Sequence, residues 1–272
     1  MDTRRPPLWW ELPFALVAFL ACAALPRFSL GDRDAVSVAN ARQVVDLERF
    51  LGIDVETPVN RWFADQGWLT TIAGYHYASV YVLTSIAMLV YLYLRDPPTY
   101  RWARRASLVL NVLAALCFWL YPVAPPRLNP ELSIVDTVML QHIWGTWGSP
   151  VGNAVNQLAA LPSLHFAWVL WVLVMLVVTT RPRPRLPGPR TRRRSRTATV
   201  LLVLASADVV ITGVVVVVTG NHYPLDLLAA AVIVAVSIPV TRPWSPPTRK
   251  RFAARLGRLG TILQAKAILV ED

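Results

Sequence analysis

The stretch "ATVLLVLASADVVITGVVVVVT", residues 198–219, carries a single charged side chain, Asp208. A bilayer core takes about 20 apolar residues per crossing helix, and this segment has the length and composition for one. Working outward from it, five more apolar blocks occur at roughly 8–26, 72–94, 104–122, 163–180 and 224–241. The chain as a whole is 55% hydrophobic and 16% charged, a balance that a soluble domain would have to break up more often. Inside lipid every backbone polar group must be paired within the protein, so the blocks are predicted to be helices. The stretches between them are too short or too polar to hold another core. The expectation is an all-α polytopic membrane protein with six transmembrane helices. It forms one integral membrane domain over 1–272, with its core at 8–241 and a basic tail at 242–272.

The formal net charge of +11 could serve a nucleic acid or a lipid surface, and the placement of the charges decides between them. They cluster at Arg4 and Arg5, at Arg95, Arg101, Arg104 and Arg105, in "RPRPRLPGPRTRRRSR" at 181–196, and from Arg242 through Lys250 to Lys266. With a cytoplasmic N-terminus and six alternating helices, all four groups fall on one side, as the positive-inside rule requires. The other side keeps Arg27, Arg33, Arg42, Arg49, Arg61 and Arg127. The pattern implies attraction to anionic lipid and excludes a nucleic-acid partner. It places the protein in the plasma membrane with both termini cytoplasmic.

The first block has two arginines before it and "ACA" within it, features shared with cleavable signal sequences, whereas Trp9 and Trp10 suit the interfacial anchors of a retained helix. Cys22 and Cys117 sit in apolar runs and read as small core residues, with no disulfide or metal framework. Between the first two spans, Val36, Ala39, Val44, Leu47 and Leu51 alternate at helical spacing with Asp34, Arg42, Asp46, Glu48 and Arg49. That spacing predicts an amphipathic helix on the extracytoplasmic surface. A shorter one is expected near "VETPVNRWFADQGWL", where Trp62 and Trp68 suit an interface.

Three polar stretches meet on that same face: "YPVAPPRLNP" with Arg127, "ALPSLHFAW" at the opening of the fourth span, and "NHYPLD" at the opening of the sixth. Pro224 suits the first turn of a helix, which puts His222 at its cap and Asp226 within a turn. A carboxylate there can hold one ring nitrogen of His222 and leave the other as a nucleophile or base. A capping Asp beside an interfacial His is the plainer alternative. Pro162 and Ser163 open the fourth span with free N–H groups and a hydroxyl, an arrangement that attracts phosphate. His165 follows within the first turn, where its imidazolium could protonate a leaving oxygen. Arg127 offers a planar donor fork suited to phosphate oxygens, or a simple pairing with Glu131 or Asp136.

In this order and spacing, "APPR", "PSLHFAW" and "NHYPLD" resemble the phosphatidic acid phosphatase type 2 superfamily of lipid phosphate phosphatases, over residues from about 40 to about 240. The branch that includes inositol phosphorylceramide synthase is the most similar. The resemblance implies that His222 attacks phosphorus and forms a phosphohistidine, that Asp226 supports it, and that His165 protonates the leaving alcohol. Arg127 and Ser163 would bind phosphate. The family's lysine seven residues before the arginine is Leu120 here, its arginine six before the third-motif histidine is Val216, and the usual glycine of its second motif is Leu164. Asn156, Asn221 and His142 are candidate substitutes for the two absent cations.

Asp208 is predicted to make a bundle contact with a polar partner such as Asn111, or to be neutral. His76, in "GYHYASVY", could line a substrate route or sit at the interface with its tyrosine neighbours. The expected activity is a phosphatase on a lipid phosphate at the extracytoplasmic face, with no metal and no organic cofactor. One alternative is phosphotransfer to an alcohol such as inositol or a sugar. The other is a non-enzymatic lipid carrier or transport partner that keeps the histidines as caps. Nothing in the sequence sets an oligomeric state.

Overall fold

A computed structural model of the chain describes residues 5–25, 32–140, 157–181 and 196–242; these are helical and contain no strand, only an isolated bridge between Val123 and Ala159. The basic loop at 182–195 and the tail beyond residue 242 lie outside the described residues. The helices are α1 (Leu8–Ala24), α2 (Arg33–Leu51), α3 (Glu56–Ala64), α4 (Gly67–Arg95), α5 (Pro97–Leu120), a short α6 (Thr137–Leu140), α7 (Leu164–Thr180), α8 (Arg196–Val218) and α9 (Pro224–Val240).

Each start has a local cause in the sequence. Asp32 accepts the N–H groups of Asp34 and Ala35 to cap α2, and Asp96 accepts that of Thr99 ahead of the two prolines that open α5. Ser163 accepts the Phe166 N–H at the start of α7. Pro224 fills the first turn of α9, where Asp226 reaches back to the Tyr223 N–H. Gly52 closes α2 in the left-handed conformation.

Among the described residues three helices are long and apolar enough to cross a membrane: α4, α5 and α8. Six crossings were expected, and α1, α7 and α9 are shorter. Each has 17 residues, about 25 Å of rise against a hydrocarbon core of about 30 Å. In α7 the cap at Ser163 takes up the first residue of the apolar block.

The core forms where α4, α5, α7 and α9 meet, around Leu92, Leu110, Trp171, Met175 and Ile233, with Ala103, Ala106, Ala114, Ala167 and Ala230 letting the helices approach closely. α1 packs on α5, where buried Glu11 pairs with Arg104 and accepts the Tyr100 hydroxyl at 2.8 Å.

The amphipathic segment is helical as expected, but the face it buries is different. Ser37, Ala41, Val44, Val45 and Glu48 turn inward, while Val36, Leu47 and Leu51 are about half exposed. Small side chains let α2 lie close to the protein, which leaves its large apolar ones facing away. Trp62 and Trp68 are exposed.

Asn60 of α3 ties this segment to the bundle. Its amide donates to the Val135 and Val218 carbonyls at 2.9 and 2.8 Å, and its carbonyl accepts the Val135 N–H at 2.7 Å. Gly220 follows at φ 75°, where an added Cβ would lie 2.4 Å from Ile134 Cγ2. Gly220→Ala therefore meets both a clash and a disfavoured backbone, and is expected to destabilise the protein by about 1–3 kcal/mol, read as a lowered thermal unfolding midpoint in detergent.

Candidate active site

The turn between α8 and α9 carries His222. Its backbone N–H donates to the Val216 carbonyl at 3.0 Å, and the Asn221 N–H reaches the same carbonyl at 3.2 Å. The imidazole Nδ1 lies 2.8 Å from the Ala160 carbonyl oxygen and 3.1 Å from Asp226 Oδ2. Both partners are acceptors, so Nδ1 carries the proton and Nε2 keeps its lone pair. No hydrogen bond to Nε2 occurs among the described residues. His222 is 4% exposed and Asp226 is fully buried. The carboxylate was expected to orient the ring; the Ala160 carbonyl shares that task and sits closer.

His165 opens α7 with its ring centroid 5.8 Å from that of His222. Two tyrosines of α4 hold it. Tyr77 stacks on it at 4.1 Å and 20°, and Tyr81 packs against it at 4.1 Å with a 50° tilt. Both were read as interfacial neighbours of His76, yet their i, i+4 spacing puts them on one face of α4, and that face meets the histidine. Tyr81 continues to Trp168 at 5.5 Å. Beyond it a cavity of about 260 Å³ opens between α4, α5 and α7, lined by Val82, Ser85, Leu89, Leu110, Trp168 and Trp171 among others.

Arg127 sits in a single 3-10 turn, Pro126–Leu128, with its side chain 3% exposed. Its backbone N–H donates to the Gly220 carbonyl at 3.0 Å, and its Nε donates to Asn221 Oδ1 at 3.0 Å, next to His222 in the chain. Asp136 Oδ2 lies 3.5 Å from the same Nε. The plainer pairing with Asp136 thus holds in part, while Glu131 is taken by Arg42 at 2.7 Å. Burial draws the Arg127 pKa down from its ordinary value and Tyr77 and Asp136 oppose the shift, so the guanidinium stays charged.

Ser163 is fully buried. Its hydroxyl accepts the Phe166 N–H at 3.4 Å and its own N–H donates to the Asp226 carbonyl at 3.2 Å. This last bond joins the start of α7 to the first turn of α9. Tyr223 completes the turn, its hydroxyl donating to the Ala124 carbonyl at 3.1 Å and accepting from Asn129 at 3.3 Å. Burial pushes its phenol up, so it stays neutral.

The structure thus brings His222, Asp226, His165, Arg127, Ser163 and Asn221 to one end of the bundle. His142 and Asn156 lie outside the described residues. Of the two positions where the family carries a cation, Val216 is buried behind the turn, while Leu120 is 70% exposed at the end of α5. Asp208 does not reach Asn111, which donates to the Ser107 carbonyl of its own helix. Its partners are His76, whose Nε2 lies 3.6 Å away, and Thr212, whose hydroxyl donates to it at 3.4 Å. His76 therefore faces the bundle. No cluster of His, Cys, Asp and Glu suited to a metal occurs among the described residues.

A family model for the PAP2 superfamily matches residues 42–189 and 190–240, which takes in all three motifs. The chain belongs to the PAP2 superfamily. PAP2 proteins are in general phosphatases or phosphotransferases, and the chain is an enzyme of that broad kind. No curated protein and no solved structure matches it.

Asn221 is the side chain through which Arg127 is tied to the histidine turn of this PAP2 protein. Asn221→Ala removes that partner at Nε and is expected to raise KM for a phosphate ester about tenfold with a smaller change in kcat, measured by steady-state kinetics of phosphate release.

Proposed function

We propose that this PAP2 enzyme is a six-span lipid-phosphate phosphatase that works on the extracytoplasmic face through a phosphohistidine. The observation that carries this reading is the double occupation of His222 Nδ1 by the Ala160 carbonyl and Asp226, which leaves Nε2 as a nucleophile beside a second histidine. In the first step Nε2 attacks phosphorus, the bond from phosphorus to the lipid oxygen breaks, and His165 gives its proton to that oxygen. Asp226 supports the positive charge that develops on the His222 ring. In the second step His165 takes a proton from water as its oxygen attacks the phosphohistidine, and inorganic phosphate leaves with Nε2 restored. Arg127 and the N–H groups of Leu164 and His165 at the start of α7 stabilise the phosphoryl oxygens through both steps.

The lipid part of the substrate is supported by the apolar cavity reached from His165 through Tyr81 and Trp168. The six crossings are supported by the packing of α7 along α4, α5 and α8 and of α9 along α5 and α7. The face is supported by the four basic clusters, which alternate with the motif-bearing ends along the chain.

Phosphotransfer to an alcohol, as in the inositol phosphorylceramide synthase branch, shares the first step and differs in the acceptor. The observation favouring it is the replacement of two phosphate-binding cations of the superfamily by Leu120 and Val216.

His222→Ala is expected to lower turnover of a lipid phosphate by about 10⁴-fold or more with the unfolding midpoint retained. His165→Ala is expected to lose turnover of an alkyl ester while keeping most of the first-step burst on an aryl ester, whose leaving group needs no proton, with the second step slowed for both. Radiolabelled phosphate should remain on wild-type protein after an acid-free quench and be absent from His222→Ala. Full turnover by His222→Ala would sink the mechanism, and lipid movement without any phosphate release would point to a carrier. Assays with and without inositol or a sugar separate hydrolysis from transfer.

A further inference from the structure

Two buried acids stand directly behind the reacting histidine and have no part in the chemistry above. Glu48 of α2 is 0% exposed and Glu56, the first residue of α3, is 2% exposed. Glu48 Oε1 accepts the Leu225 N–H at 2.7 Å. Leu225 stands in the first turn of α9, so this is one of the helix's free N-terminal amides, and its neighbour in the chain is Asp226. The two glutamate carboxyls act on one another, and Oε2 of each is buried with no hydrogen-bond partner among the described residues.

The charges around the pair are all of one sign. Asp226 faces both glutamates from α9, Asp54 acts on Glu56 from the α2–α3 turn, and the Tyr223 hydroxyl is close to both. No lysine or arginine forms an ion pair with either glutamate among the described residues. Buried carboxyls set this close cannot all be ionised, and the arrangement closes if one proton bridges the pair. Glu48 then keeps Oε1 for Leu225 and turns Oε2 to Glu56. Burial pushes Glu48 up to about 9 and moves Glu56 upward as well.

We propose that Glu48 and Glu56 are positioning residues whose shared proton clasps the start of α9 to α2 and α3, and that loss of this proton sets the alkaline limit of the enzyme's activity. The inference rests on the site reading above only for its activity arm. A raised carboxyl pKa gives stability that is fully present below the ordinary value of 4.5 and is lost as pH rises through about 9. Ionisation would add a second negative charge beside Asp226 and drive Glu48 and Glu56 apart.

The test uses the full chain in detergent and measures two profiles across that window and above it: the thermal unfolding midpoint without substrate, and kcat for phosphate release. For the wild type the midpoint should fall as pH rises toward about 9, and kcat should then fall about tenfold per pH unit. In Glu56→Gln the amide donates to the Glu48 carboxylate, so the clasp no longer needs a proton and both limbs should flatten through about 9. Glu48→Gln keeps an acceptor for Leu225 and should flatten the midpoint profile. Unchanged profiles in both variants would overturn the proposal, as would a wild-type midpoint that stays level through the window, a reading that needs no variant to fold. If the midpoints shift as stated but no lipid phosphate is turned over, the clasp stands and the phosphatase reading falls. If phosphate is released and the profiles of the variants overlay the wild type, the clasp falls and the phosphatase reading stands.

Discussion

One proton position governs the whole site. Because His222 Nδ1 faces two acceptors, a main-chain carbonyl at 2.8 Å and a carboxylate at 3.1 Å, the ring cannot present its other tautomer without losing both bonds in a buried setting. The remaining nitrogen is thereby fixed in direction and keeps its lone pair. Its acceptors come from different parts of the chain, Ala160 ahead of α7 and Asp226 in α9, so the tautomer exists only when the bundle has closed. Folding and the choice of tautomer are thus the same event at this residue.

The membrane environment explains why so much of the support is polar and internal. A carboxylate such as Asp226 would be costly beside lipid on its own. Here its Oδ2 takes the Tyr223 N–H as well as the histidine. The pieces outside the apolar spans then act as a polar collar: Asn60 fastens the end of α8, Glu48 fastens the start of α9, and Tyr223 is held by Ala124 and Asn129. Each joins residues far apart in the chain, and each satisfies a group that would otherwise be orphaned in a low-dielectric setting.

The histidine and aspartate were legible because four residues across a helix start is a local relation, fixed by Pro224 and by the geometry of one turn. The helices were legible for the same reason: apolar length is a property of a single segment. What escaped depended on which way a helix turns against its neighbours. Glu48 belongs to the polar stripe of α2 by periodicity, yet that stripe faces inward at this point because α9 offers a free amide. Tyr77 and Tyr81 looked like interfacial aromatics until α7 put His165 against them. Asp208 found His76 rather than Asn111, since the rotation of α8 relative to α4 and α5 is not encoded in either segment alone. The part played by the Ala160 carbonyl has no side-chain signature at all.

The three motif-bearing segments are strapped together in part through their main chains. Arg127 N–H meets the Gly220 carbonyl, Ser163 N–H meets the Asp226 carbonyl, and the Val216 carbonyl takes the amides of both Asn221 and His222. Bonds of this kind do not depend on which side chain stands at either end. The frame is therefore a chassis on which neighbouring side chains can be exchanged, so that leucine at 164 and valine at 216 can stand where relatives carry other residues without displacing the reactive groups. Drift in the surrounding chemistry becomes possible while the two histidines keep their places.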